Sequence, residues 1–90
     1  MAIAIYLNPP SISAAQYHEV MSRLDAAGAG TPTGRLYHVC FGSGDKLQLF
    51  EIWESQQDFG KSIEATMPIL QQIGLDLGRP TVEPVHKSIP

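Results

Sequence analysis

The chain has little of what most binding and catalytic classes require. It carries one cysteine, Cys40, and its six lysines and arginines are scattered singly over 90 residues. One cysteine excludes an internal disulfide framework, and a four-cysteine metal site cannot be built within one chain. Without a basic stripe to neutralise phosphates, and with a net charge of −3, nucleic-acid binding is disfavoured. No apolar run approaches 18 residues, so no membrane span is expected. The apolar start, Met1–Asn8, lacks a positive leading region and a cleavage site, and reads as a strand rather than a targeting segment. With a lone thiol in an apolar strand, this points to a reducing cytoplasm. There is no repeat and no linker-like stretch, so residues 1–90 read as a single domain. A domain of this size buries only about 60–65 % of its unfolded surface. With no disulfide or metal to help, association is the remaining source of burial.

What is present is strong patterning. Ala2–Leu7 is a short apolar strand stopped by Asn8-Pro9-Pro10. Ser13 is an N-cap with Gln16 three residues on, a capping box, and Ile12 before it can staple onto Tyr17. Tyr17, Val20/Met21, Leu24 and Ala27 continue at helical spacing, and Gly28 closes the helix. Arg35–Phe41 and Lys46–Glu54 form a hairpin across Gly42-Ser43-Gly44-Asp45. Ser55 caps a second helix with Asp58 at its third position. Phe59, Ile63, Met67/Leu70 and Ile73 form its apolar stripe. Pro68 predicts a kink or break near Thr66–Met67, and Gly74 ends the helix. Thr81–His86 is a last strand. The order β-α-β-β-α-β predicts an α+β, ferredoxin-like domain: a four-stranded antiparallel sheet with two helices on one face.

The hairpin is apolar on both sides. Leu36, His38 and Cys40 oppose Tyr37, Val39 and Phe41; Leu47, Leu49, Glu51 and Trp53 oppose Gln48, Phe50 and Ile52. Helices cover one face. The other would be a large exposed apolar patch, and a two-fold copy of the chain is the simplest cover. A homodimer through the sheet face is therefore expected.

The chemistry-bearing residues each carry two readings. Trp53 packs a substrate ring and donates its N–H, or anchors the core; Tyr6 and Tyr37 share that ambiguity. Glu51, mid-strand among apolar neighbours, either pairs with Arg35 or keeps a raised pKa as an acid or base. His38 and Cys40 share a strand face. They could act as a nucleophile pair, as metal ligands with His86, or as structural groups, and His38 could accept a proton. Asn8 reads as a turn residue that bonds its own backbone.

Leu47-Gln48-Leu49-Phe50-Glu51-Ile52-Trp53-Glu54-Ser55-Gln56-Gln57-Asp58-Phe59, with its Trp53-Glu54-Ser55 step into the second helix, resembles the antibiotic biosynthesis monooxygenase superfamily. That resemblance implies two subunits forming a dimeric α+β barrel. It also implies activities such as cofactor-independent oxidation of polyketide quinones, haem degradation, or small-molecule isomerisation. The haem-degrading branch uses an Asn ending the first strand, a Trp in the third strand and a His on the second helix. Asn8 and Trp53 match, but Ser55–Ile73 contains no histidine, so the iron ligand is missing. The resemblance thus points to a cofactor-free, metal-free oxygenase with Asn8, His38 and Trp53 as catalytic residues. Its pocket would be lined by Tyr6, Tyr37, Glu51, Phe59 and Ile63 and would take a small apolar or aromatic molecule. A non-catalytic dimeric module that binds a hydrophobic ligand or a protein partner is the alternative.

Overall fold

A computed structural model describes all residues, Met1–Pro90. The elements are β1 (Ile3–Leu7), α1 (Ala14–Ala26), β2 (Arg35–Phe41), β3 (Gln48–Trp53), α2 (Gln56–Ile73) and β4 (Thr81–Pro84). They form one antiparallel four-stranded sheet in the order β2-β3-β1-β4. This is the ferredoxin-like arrangement that the alternation of strand and helix signals predicts. Strand ends are shorter than expected in β3 and β4.

Local chemistry sets the helix limits. The Ser13 hydroxyl accepts from Gln16 N and the Gln16 side chain accepts from Ser13 N, a complete capping box. Ser55 caps α2 by accepting from Asp58 N. At its far end Gly74 is left-handed at φ 78°, and its amide bonds back to the last turn. Of the kink or break expected near Thr66–Met67, the break is absent: residues 56–73 form one helix with Pro68 inside it. Ala27 and Met67 are exposed, so both helical stripes are narrower than their spacing suggests.

Strand parity separates two faces. Ile3, Ile5, Leu7, Leu49, Glu51 and Trp53 are buried toward the helices. With Phe59 of α2, their apolar members form the main core, and Val20, Leu24 and Leu70 pack the helices together. Ile5, Ile12 and Trp53 are almost wholly enclosed. Ile12 is clamped to the hairpin turn by its N–H on Asp45 O and its carbonyl on Leu47 N. The opposite face carries Tyr6, Tyr37, Val39, Phe41, Phe50 and Ile52 and has no helix over it.

One irregularity changes the face assignment. The β2–β3 register shifts between Arg35 and Tyr37. A bulge inserts a residue and flips the side-chain alternation beyond it. Leu36, expected beside His38, is instead exposed next to Tyr37, and Arg35 turns to the helix side.

Candidate active site

The helix-facing side of the hairpin holds a continuous polar chain inside an apolar surround. Glu51 and His38 are directly cross-strand partners, since the antiparallel register pairs them. His38 Nδ1 lies 2.5 Å from Glu51 Oε2, and His38 Nε2 lies 2.6 Å from the Tyr17 hydroxyl on α1. Trp53 Nε1–H donates to Glu51 Oε1 at 2.9 Å. Arg35 is further off, with its NH1 atom 3.9 Å from Glu51 Oε2 and its NH2 atom donating to Gly30 O at 3.2 Å.

These partners dictate the proton positions. Burial works against a charged Glu51, but hydrogen bonds from His38 and Trp53, with the charges of His38 and Arg35, outweigh it. The carboxyl is therefore held below its usual value and is an acceptor only. His38 then donates from Nδ1, and its Nε2 faces the Tyr17 hydroxyl: a neutral ring accepts there from Tyr17 O–H, and a protonated ring donates to the Tyr17 oxygen. Burial, reinforced by Cys40 and opposed by Arg35, raises the Tyr17 phenol, so Tyr17 is a protonated donor at neutral pH. The chain runs Tyr17 O–H to His38, and His38 N–H to Glu51. A carboxylate orients an imidazole, which is hydrogen-bonded to a hydroxyl. That is the arrangement of a general-base relay.

Tyr17, His38, Arg35 and Glu51 border a cavity of about 60 Å³ between sheet and helices. Its other walls are chiefly apolar, among them Leu7, Leu49, Phe59 and Ile63. Beside it, across Leu7, Phe59, Ile63 and Leu77, runs a groove of about 380 Å³ along α2.

The predicted site residues divide. His38, Glu51, Phe59 and Ile63 line the cavity. Trp53 does not: its ring is buried edge-on against Phe59 and its N–H is spent on Glu51. Tyr6 and Tyr37 lie on the opposite sheet face, where Tyr6 bonds Gln48 and Tyr37 meets Phe50. They cannot share a pocket with His38, because neighbouring strand positions point to opposite sides. Asn8 is exposed beyond the end of β1 and outside the cavity. Glu51 does form an ion pair with Arg35 at 3.9 Å, and His38 and Trp53 are its hydrogen-bonded partners. No three His, Cys, Asp or Glu side chains converge to hold a metal ion, so His38, Cys40 and His86 do not form a ligand set. Cys40 is half-buried, and burial pushes its thiol up, away from nucleophile character. Tyr17 is the functional candidate that sequence reasoning passed over, because its helical spacing marked it only as a stripe residue.

The layout defines the class: the fold is that of the antibiotic biosynthesis monooxygenase-like α+β proteins. Solved structures carry the likeness across the whole chain. A protein of Chloroflexus aurantiacus assigned by name to the antibiotic biosynthesis monooxygenases superposes with a TM-score of 0.68 at 12 % identity, over 100 % of this chain and 98 % of its own. SnoaB, a cofactor-independent oxygenase from Streptomyces nogalater, gives 0.68 at 14 % identity over 99 % and 97 %. A Deinococcus radiodurans protein assigned by name to the same group gives 0.63 at 14 % over 100 % and 97 %. No family model and no curated protein matches the chain.

Proposed function

We propose that this protein is a small-molecule enzyme of the monooxygenase-like kind, using the Tyr17–His38–Glu51 relay as a general base without metal or flavin. The observation that carries the reading is that a carboxylate-oriented imidazole and a phenol border an otherwise apolar cavity. The substrate is apolar or aromatic with one weakly acidic C–H or O–H. It gives its proton to the Tyr17 oxygen as Tyr17 passes its own to His38 Nε2. The imidazolium is stabilised by Glu51. The substrate anion combines with dioxygen, and the resulting peroxide recovers the proton from the relay. For a methylene beside a carbonyl, the peroxide then loses water. Two hydrogens are replaced by one oxo oxygen, and the second oxygen atom leaves in the water. Likeness to a cofactor-independent oxygenase supports the choice of dioxygen over other electrophiles.

A cavity of about 60 Å³ is smaller than the roughly 150 Å³ that holds a benzene ring. Substrate entry therefore displaces Phe59 or Leu77 and joins the cavity to the groove along α2. The open sheet face with Tyr37, Phe41 and Phe50 pairs with a second copy, giving a cytoplasmic homodimer. Oxygen uptake with anthrone as substrate tests the reading. The wild type consumes oxygen and forms the quinone, and His38→Gln abolishes this while staying folded. Equal uptake by both proteins would reject it.

A second reading, a non-catalytic dimeric module, is favoured by one observation: every buried side-chain polar atom has a partner. It predicts no oxygen uptake with anthrone, whether or not a hydrophobic ligand binds.

A further inference from the structure

Arg35 is the charged group that the relay leaves unexplained. Without the bulge at Leu36 it would sit on the outer sheet face with Tyr37; with the bulge it lines the cavity. One guanidinium nitrogen is anchored on Gly30 O at 3.2 Å. The other stands 3.9 Å from Glu51 Oε2, too far for a hydrogen bond, and both Glu51 oxygens already accept from His38 and Trp53. A half-buried guanidinium in a loose ion pair with Glu51, with no hydrogen bond to it, keeps spare donors for an anionic oxygen.

Charge counting says which anion. In the base form of the relay, the form with a neutral His38 ring, Arg35 and Glu51 cancel, so that form of the cavity suits a neutral guest. After proton transfer, His38 is positive and the guest negative. Glu51 then faces the imidazolium and Arg35 faces the guest, and the sum is again zero. A guest already ionised, such as a carboxylate, would add an uncompensated negative charge near Glu51. We propose that Arg35 is a substrate-contacting residue that holds the oxyanion formed when a neutral phenol or enolisable ketone releases its proton to Tyr17 and His38. The inference rests on the base reading of the cavity. It adds the group that stabilises the substrate's anion. The opposing pull of Arg35 on the half-buried Tyr17 phenol places its charge within reach of the transferred proton.

The test uses p-nitrophenol, a single-ring phenol whose anion absorbs in the visible. Its ionisation is titrated spectroscopically when bound to the wild type, Arg35→Gln and Arg35→Met, with folding checked by circular dichroism so that either variant suffices. Bound to the wild type, the phenol should ionise at lower pH than in free solution. Both Arg35 variants should raise the bound ionisation by about one pH unit, a tenfold lower phenolate fraction at fixed pH. An unchanged phenolate fraction in a folded, ligand-binding variant overturns the role of Arg35 and leaves the base reading intact. Absence of p-nitrophenol binding to the wild type overturns both.

Discussion

The two faces of this sheet are built from similar residue types and do different things. The helix side carries Leu49, Glu51 and Trp53 on β3. The open side carries Gln48, Phe50 and Ile52 on the same six-residue strand. On the helix side, polar groups are enclosed and therefore fully paired, because an orphaned buried donor or acceptor costs about 1–3 kcal/mol. Their pairing creates the relay. On the open side, Leu36, Tyr37 and Phe41 remain 57, 51 and 42 % exposed, and together with Phe50 and Ile52 they form a patch with no polar chain running through it. Enclosure gives one face a paired polar chain beside a cavity; lack of a cover leaves the other an exposed apolar patch.

The largest effect should separate the faces by stability. Trp53→Ala on the helix side removes a ring that is 1 % exposed and should cost about 3–5 kcal/mol in urea unfolding. Tyr37→Ala on the open side should cost little at low protein concentration. Wild-type stability should rise with concentration, as mass action requires of a dimer, and the variant should lose that rise. A Tyr37→Ala penalty as large as that of Trp53→Ala at every concentration would erase the distinction.

Glu51→Gln should come next, at about 1–3 kcal/mol. Its amide nitrogen must face either His38 Nδ1–H or Trp53 Nε1–H, donor against donor. The same residue gives a pH dependence. Its folded pKa is lowered by His38, Trp53 and Arg35 against the effect of burial. The stability it adds is thus present above the ordinary glutamate value, about 4.3, and is lost as pH falls through the lower folded value. Acid titrations of unfolding should show this loss in the wild type and not in Glu51→Gln.

Phe50→Lys places a charge in the centre of the open face. On the proposed pairing, sedimentation should report a dimeric wild type and a monomeric variant with unchanged far-UV circular dichroism. The smallest change in stability belongs to Tyr17→Phe, about 0.5–1.5 kcal/mol for one hydrogen bond, yet it should remove most oxygen consumption because it breaks the relay.

Much of the fold was legible in sequence because it rests on local chemistry. Ser13 with Gln16, Ser55 with Asp58, and Gly74 act within a few residues of themselves, and strand alternation correctly grouped Glu51 with Trp53 and Leu49. The site was only half legible. Alternation also separates Tyr37 from His38, so placing both in one pocket conflicted with parity already visible in β2, whereas the face of Tyr6 follows from its register with Phe50. Two features could not be read locally. The bulge that expels Leu36 and turns Arg35 inward depends on how β2 meets β3. The role of Tyr17 depends on where α1 lies over the sheet, which sets its hydroxyl against His38. Pro68 suggested a kink or a break from its local effect alone, and the helix continues through it.

The measurement that bears most directly on the relay is the protonation of the His38 ring, read by nitrogen-15 NMR of the neutral imidazole in the wild type and in Tyr17→Phe. The arrangement predicts that Nδ1 carries the proton, hydrogen-bonded to Glu51, and that Nε2 shifts when the Tyr17 hydroxyl is removed. A proton on Nε2, or an Nε2 signal indifferent to Tyr17→Phe, would contradict the relay.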